Sequence, residues 1–216
     1  MKKIEGNIID IKNQKIFKGV ISFTDKVVKI DQKENIQSNS YILPGFVDAH
    51  VHIESTLLTP FEYAKMALVH GVVASVTDPH EIANVMGVAG IRFMIENSQK
   101  SPMKIYTGAP SCVPATPFET NGKIITEKEI EILFKNKECS HLSEVMNFPG
   151  VLNKDESVLN KLSVAKKFNK PIDGHCPKLR GEQLKIYQNA GIQTDHECTS
   201  LEEALEKLQA GMKILI

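Results

Sequence analysis

Pro44-Gly45-Phe46-Val47-Asp48-Ala49-His50-Val51-His52 is an apolar run that closes on two histidines two residues apart. Side chains on a strand alternate faces, so His50 and His52 point the same way. Two neutral imidazoles on one face, where a strand opens into a cleft, make half of a divalent-metal site. An isolated pair of this kind is more often two unrelated surface histidines. Here further His and Glu residues recur at later strand ends, and that recurrence reverses the balance.

From Pro44 onward the pattern is strand, loop, helix, repeated. Strands are expected to end near His52, Asp78, Gly108, Asn147, His175 and Glu197, with a last one beginning at Lys213. Helix signals lie between them. Thr59-Pro60 supplies an N-cap and first-turn proline ahead of Phe61, Ala64 and Leu68, with Gly71 past the end. Val85, Met86, Ala89, Phe93 and Met94 read as one apolar stripe. Thr126 with Glu129 is a capping box before Ile130, Leu133 and Phe134. Val158, Leu162, Ala165 and Phe168 keep helical spacing, and Leu184 and Tyr187 precede Gly191. Ser200 with Glu203 reads as a second capping box, before an apolar face of Ala204, Leu205 and Leu208.

Alternating strands and helices imply a parallel sheet. A dinucleotide-binding sheet would show G-x-G-x-x-G after its first strand, and none is present. Polar residues at the C-terminal end of nearly every strand favour a barrel, where such ends converge. The expected fold is therefore α/β: an incomplete (β/α)8, TIM-like barrel of six to seven strands over residues 44–216. Before it, residues 1–43 hold short alternating runs such as Ile8-Ile9-Asp10-Ile11, a small N-terminal β-rich segment of antiparallel strands. The stretch from Pro44 is shorter than the roughly 250 residues a barrel takes, so the chain reads as cut before an eighth strand. A barrel open in this way is expected to be unstable or oligomeric by itself.

Composition narrows the partners. The chain has 216 residues, 42% hydrophobic and 24% charged, with a formal net charge of zero. Nothing in that balance calls for nucleic acid or an anionic membrane. No apolar stretch is long enough to span a bilayer, and Met1–Glu5 lacks the apolar core of a signal peptide. Cys112, Cys139, Cys176 and Cys198 form no CxxC pair and read as reduced thiols of a cytoplasmic protein.

Glu144, His175 and His196 join His50 and His52 at strand ends, giving four imidazoles and one carboxylate. A carboxylate can bridge two cations while an imidazole pair holds each. Two such ions about 3.5–4 Å apart ionise a bridging water and polarise the group it attacks, which is hydrolytic chemistry. Other polar residues carry weaker claims. Asp78, His80 and Glu81 follow the second strand and either meet substrate or simply start a helix. Glu54 and Ser55 either reach the pocket or cap a loop. Ser111, in the Pro110–Gly122 loop, either lines a pocket or belongs to an inert surface loop. His141 precedes its strand and is expected to be exposed. The zinc site of cytidine deaminases is excluded, because His52-Ile53-Glu54 is followed by no P-C-x-x-C.

PGFVDAHVHIES (44–55), the single histidines of DGH and TDHE, and the strand spacing resemble the amidohydrolase superfamily. Within it, TDPHEIANVMG (77–87), APSCVPAT (109–116), SEVMNFPGV (143–151), DGHCP (173–177) and DHECTSLEEALEKLQAGMKILI (195–216) closely resemble the adenine deaminase family. The resemblance implies that His50 and His52 bind the more buried of two divalent ions. Glu144 takes the bridging, catalytic position, and His175 and His196 hold the second ion. Manganese is the implied metal, with iron or zinc as alternatives. The implied reaction is hydrolysis of adenine to hypoxanthine and ammonia, a purine-salvage step, by a homo-oligomer in its complete form. The family's metal-binding aspartate on the eighth strand has no counterpart here. Asp173 and Asp195 read as groups that orient imidazoles, and Glu197 as a neighbour of the site. Two further readings stand beside this one: an inactive remnant or one part of a split enzyme, and another amidohydrolase acting on a nucleobase or cyclic amide. The isolated chain is expected to deaminate adenine negligibly.

Overall fold

A computed structural model describes residues 1–116 and 118–216, so residue 117 of the Pro110–Gly122 loop lies outside the described residues. The chain divides into two compact units, Met1–Phe46 and Val47–Ile216. The first is a four-stranded sheet of β1 (Lys2–Asp10), β2 (Lys15–Phe23), β3 (Val27–Gln32) and β4 (Tyr41–Ile42), in the order β3-β2-β1-β4. The first three strands pair antiparallel, from Lys2 opposite Phe23 through Asp10 opposite Lys15. β4 instead runs parallel to β1, a departure from the all-antiparallel expectation. The segment between β3 and β4 is long enough to carry the chain back before it pairs, which a tight hairpin cannot do.

The second unit alternates strands and helices. β5 (Phe46–Val51) leads through a short 3-10 turn (Ile53–Thr56) to α1 (Pro60–Val69), followed by β6 (Val72–Thr77), α2 (His80–Met86), α3 (Val88–Ser98) and β7 (Lys104–Thr107). Then come α4 (Glu127–Lys135), β8 (Leu142–Val145), α5 (Phe148–Leu152), α6 (Glu156–Lys167) and β9 (Ile172–Gly174). The unit ends with α7 (Gly181–Asn189), β10 (Thr194–Asp195), α8 (Leu201–Gln209) and β11 (Lys213–Ile214). β5, β6 and β7 lie side by side, and β6–β7, β8–β9 and β10–β11 pair in parallel. A parallel bridge from Ala109 to Leu142 joins β7 to β8, and the Gln193 amide donates to the Ile172 carbonyl beside β9. The strands thus follow one another in chain order, as successive right-handed crossovers dictate. Ile91, Ile130, Leu133, Leu142, Ile172 and Tyr187 are among the fully buried side chains between the strands and their helices. No helix among the described residues is long and apolar enough to cross a membrane.

Local signals decide most helix ends. Thr126 and Glu129 form the reciprocal capping box of α4. Thr59 stands at the N-cap of α1 without a side-chain bond, and Pro60 supplies the first turn. Two expectations fail. The stripe Val85–Met94 is not one helix, because Gly87, with φ 64° and ψ −144°, breaks the chain between α2 and α3. Val85, Met86 and Phe93 consequently turn outward while Ala83, Ile91 and Met94 are buried. At α8 the Ser200 hydroxyl accepts from the Glu203 amide, but the Glu203 carboxylate bonds the Thr199 amide instead of the Ser200 amide. Leu205 and Leu208 face outward there, and Glu203 and Lys207 face in.

Candidate metal centre

The C-terminal ends of β5, β8, β9 and β10 deliver the core of the site. His50 is the penultimate residue of β5, with His52 just beyond it, so the alternation of the strand puts both rings on one side. Glu144 lies inside β8, whose four residues are all buried. His175 follows β9 and His196 follows β10. Gly174 is required where it stands, since a Cβ there would sit 2.2 Å from the Thr194 carbonyl oxygen. That close approach of β9 to β10 brings His175 and His196 together.

The Glu144 carboxylate is the centre of the cluster and is 3% exposed. Its Oε1 faces His52 Nε2 at 3.2 Å, His80 Nδ1 at 3.4 Å and His50 Nε2 at 3.9 Å. Its Oε2 faces His175 Nδ1 at 2.9 Å and His196 Nε2 at 3.2 Å. Despite those neighbours Oε2 accepts no well-directed hydrogen bond. His50 Nε2 and His52 Nε2 are 3.1 Å apart, and His175 Nδ1 and His196 Nε2 are 3.4 Å apart. Nitrogens bound at about 2.1 Å to one ion stand roughly 3.0–3.4 Å apart at tetrahedral or octahedral angles. An orphaned carboxylate oxygen among converging nitrogen lone pairs is the arrangement a cation completes, so these residues fit a divalent metal.

Further groups fix the rings. His50 Nδ1 meets Asp173 Oδ2 at 2.7 Å, and His52 Nδ1 meets the Asp78 carbonyl at 3.0 Å. Each bond holds the second ring nitrogen and leaves Nε2 free to ligate. His80 Nδ1 meets Asp78 Oδ2 at 3.2 Å, while Asp78 Oδ1 is buried without a partner. The Tyr187 hydroxyl donates to the Val145 carbonyl at 2.7 Å and accepts from the His175 amide at 3.0 Å. It therefore ties the strand of Glu144 to the loop of His175.

Charge in the cluster is strongly coupled. Burial alone would raise the Glu144 carboxyl, but the imidazoles of His175, His196 and His52 pull it far below the carboxylate range. Burial likewise opposes ionisation of His52, yet the Glu144 carboxylate pushes it up to about 9. His80 is raised against burial by Asp78, and His196 by Glu144. Burial raises the Glu54 carboxyl.

The other residues singled out from sequence disperse. Asp173 sits on His50, but Asp195 touches no imidazole; its carboxylate accepts from the Cys176 amide, Lys207 and the Cys198 thiol. Asp195 is thus corrected from an imidazole-orienting group to a member of a buried ion network. Glu54 Oε1 accepts from the Ile82 amide, and exposed Glu81 accepts from the Ser55 hydroxyl, so both brace the start of α2. Ser111 is buried and donates to the Glu144 carbonyl at 2.5 Å. Exposed Glu197 can bring a carboxylate oxygen near His175 and His196. His141 is buried, not exposed, because it packs against Gly108 between β7 and β8, and that burial lowers its pKa. The supporting roles of Lys207 and Tyr187 are not legible in sequence, since each acts through partners on other elements.

The amidohydrolase family profile matches residues 41–216. The chain belongs to the amidohydrolase family. Membership implies divalent-metal binding, and the groups around Glu144 could hold such an ion. The chain is 52% identical over its whole length to an adenine deaminase of Methanosarcina mazei and covers 39% of that protein. It is 50% identical over 99% of its length to one of Sulfurovum, covering 40% of it. It is 48% identical over 99% of its length to one of Borreliella burgdorferi, covering 39% of it. The chain thus spans about two fifths of the curated relatives it matches. Among solved structures, N-acetyl-D-glucosamine-6-phosphate deacetylase of Mycobacterium smegmatis aligns over 91% of this chain and 60% of its own, with TM-score 0.58 and 13% identity. A dihydroorotase aligns over 99% and 65%, with TM-score 0.53 and 17% identity. Both likenesses bear on the fold of this amidohydrolase chain.

Proposed function

We propose that this chain carries most of the binuclear metal centre of an adenine deaminase. The observation that carries the reading is the Glu144 carboxylate, one oxygen turned to His50 and His52 and the other to His175 and His196. The half-identical relatives named adenine deaminase supply the substrate. Residues 1–43 then form part of a small β-sandwich domain, and residues 44–216 the first strands of a β/α barrel. The cysteines, all free, suit a cytoplasmic setting.

His50 and His52 would hold one ion, His175 and His196 the other, and Glu144 would bridge them. Nitrogen and oxygen donors suit manganese, iron or zinc, and manganese is the choice the resemblance favours. When bound, the two ions supply the Lewis acidity that ionises water and polarises the C6 amidine of adenine. Asp173 and the Asp78 carbonyl fix the tautomers of His50 and His52, so each presents Nε2 to its ion. His80, held at Nδ1 by Asp78, stands at the edge of the cluster, within reach of ligation or of a proton in transit. A small polar substrate, and neither nucleic acid nor membrane, is the partner.

A chimera tests this. In it, the present chain replaces the matching N-terminal portion of the Methanosarcina mazei relative. Supplied with Mn2+, it should convert adenine to equal amounts of hypoxanthine and ammonia. Glu144→Gln should cut that rate at least 100-fold, because one acceptor oxygen and the bridging charge are lost together. Preference for another nucleobase or a cyclic amide would overturn the adenine reading.

A further inference from the structure

Helix α8 turns its charged face inward, and that inversion has a purpose. Lys207 is 0% exposed and sits with Asp195 and Glu203, which are 0% and 2% exposed. Burying three ionisable groups is costly unless every donor and acceptor is met. The Lys207 ammonium spends its three protons on Asp195 Oδ2 at 2.7 Å, Glu203 Oε1 at 2.6 Å and the Cys176 carbonyl at 2.8 Å. Asp195 Oδ1 returns to the Cys176 amide at 2.8 Å. Glu203 takes the Lys178 amide at 2.7 Å on Oε1, and the Thr199 amide and hydroxyl at 3.0 and 2.9 Å on Oε2.

Every backbone group in this network flanks one of two histidines. Cys176 and Lys178 follow His175; Asp195 precedes His196, and Thr199 follows it. The two short strands that precede these histidines offer little ladder of their own, β9 with three residues and β10 with two. Position must therefore come from outside the sheet. His50 and His52 make none of these bonds themselves: the Asp78 carbonyl holds His52, and Asp173 of β9, which accepts from the Thr194 hydroxyl of β10, holds His50.

We infer that Lys207 is a positioning residue for one half of the metal centre, clamping the loops of His175 and His196 at coordination distance and reaching the His50–His52 half only indirectly, through Asp173. It fills with its own ammonium the space among Asp195, Cys198 and Glu203 that could otherwise draw a cation. The inference rests on the reading of the Glu144 cluster as a two-ion centre.

Equilibrium dialysis of the whole chain against Mn2+, with metal analysis and electron paramagnetic resonance, tests it. The unaltered chain should take up two ions and give an exchange-coupled spectrum. Lys207→Met should lose one ion, its affinity falling tenfold or more, and show the six-line pattern of isolated Mn2+. The other ion should weaken by a clearly smaller factor. Glu203→Gln keeps the lysine partnered but surrenders the Thr199 contacts, and should weaken the same ion by a smaller factor. That variant carries the test if Lys207→Met fails to fold by circular dichroism. Two ions bound unchanged in a folded Lys207→Met, or in Glu203→Gln when only that variant folds, would overturn the inference. So would equal weakening of both ions. Failure of the unaltered chain to bind two ions would instead refute the metal-centre reading, and the clamp with it.

Discussion

At Glu144 a single carboxylate faces five imidazoles, and on the proposed two-ion reading the protonation of His52, His80 and His196 would govern metal uptake. Without metal, the carboxylate holds a proton on its neighbours, with His52 pushed up to about 9 and His80 and His196 also raised. The raised His52 imidazole stabilises the metal-free fold fully below about 6.5, and that stabilisation is lost as pH climbs through about 9. A protonated ring cannot ligate, so ion binding at neutral pH must expel the proton. Titration calorimetry with Mn2+ at pH 7, in buffers of different ionisation enthalpy, should show net proton release. The release should shrink above pH 9 as His52 arrives already neutral, and affinity should climb over the same range. Heats independent of the buffer would contradict this picture.

The helices divide into those whose signals are local and those whose burial is decided elsewhere. The capping box of α4 was legible because both partners lie within one turn. The inward face of α8 was not, because Asp195, which makes Lys207 worth burying, stands on a strand outside the helix. Hydrophobic periodicity assigned Leu205 and Leu208 to the core, and the ion network outweighed it. This helix should be acid-sensitive. Burial alone would raise the Glu203 carboxyl, but Lys207 and the Thr199 and Lys178 amides bring it down to about 2. Its stabilisation is complete above about 4.5 and is lost as pH falls toward 2. Thermal melts of the metal-free chain at pH 5 and pH 3 should show a drop that Glu203→Gln reduces but does not abolish, because Glu144, Asp173 and Asp195 are also held below the carboxylate range. The α2–α3 break is a second element-scale case, where one glycine overrides a continuous apolar stripe. Gly87 has φ 64°, and an added Cβ would lie 3.1 Å from the Lys123 side chain. Gly87→Ala should therefore cost about 1 kcal/mol or more, read as a lower denaturant midpoint at unchanged slope.

Across the whole chain, legibility follows the same division. Strand ends and the residues they carry could be read, because a parallel α/β sheet gathers its chemistry at one end of its strands. His50, Glu144, His175 and His196 come together on that rule alone, although 146 positions separate the first from the last. The supports that depend on packing between elements could not be read: Lys207 from α8, Tyr187 from α7 and the burial of His141 beside Gly108. On the proposed reading, the same spread of residues would make metal a fold-level staple. An ion held between β5 and β8, or between β9 and β10, binds the folded chain and not the unfolded one. At about 100 times its dissociation constant, one such ion adds about 2.7 kcal/mol. For a chain of this size that is a rise of about 5–10 °C in melting temperature. Mn2+ should produce it, EDTA should reverse it, and Glu144→Gln should abolish most of the shift whatever it does to the metal-free melting point. A melting temperature indifferent to Mn2+ in the unaltered chain would mean that the five imidazoles and their shared carboxylate are held together by hydrogen bonding alone.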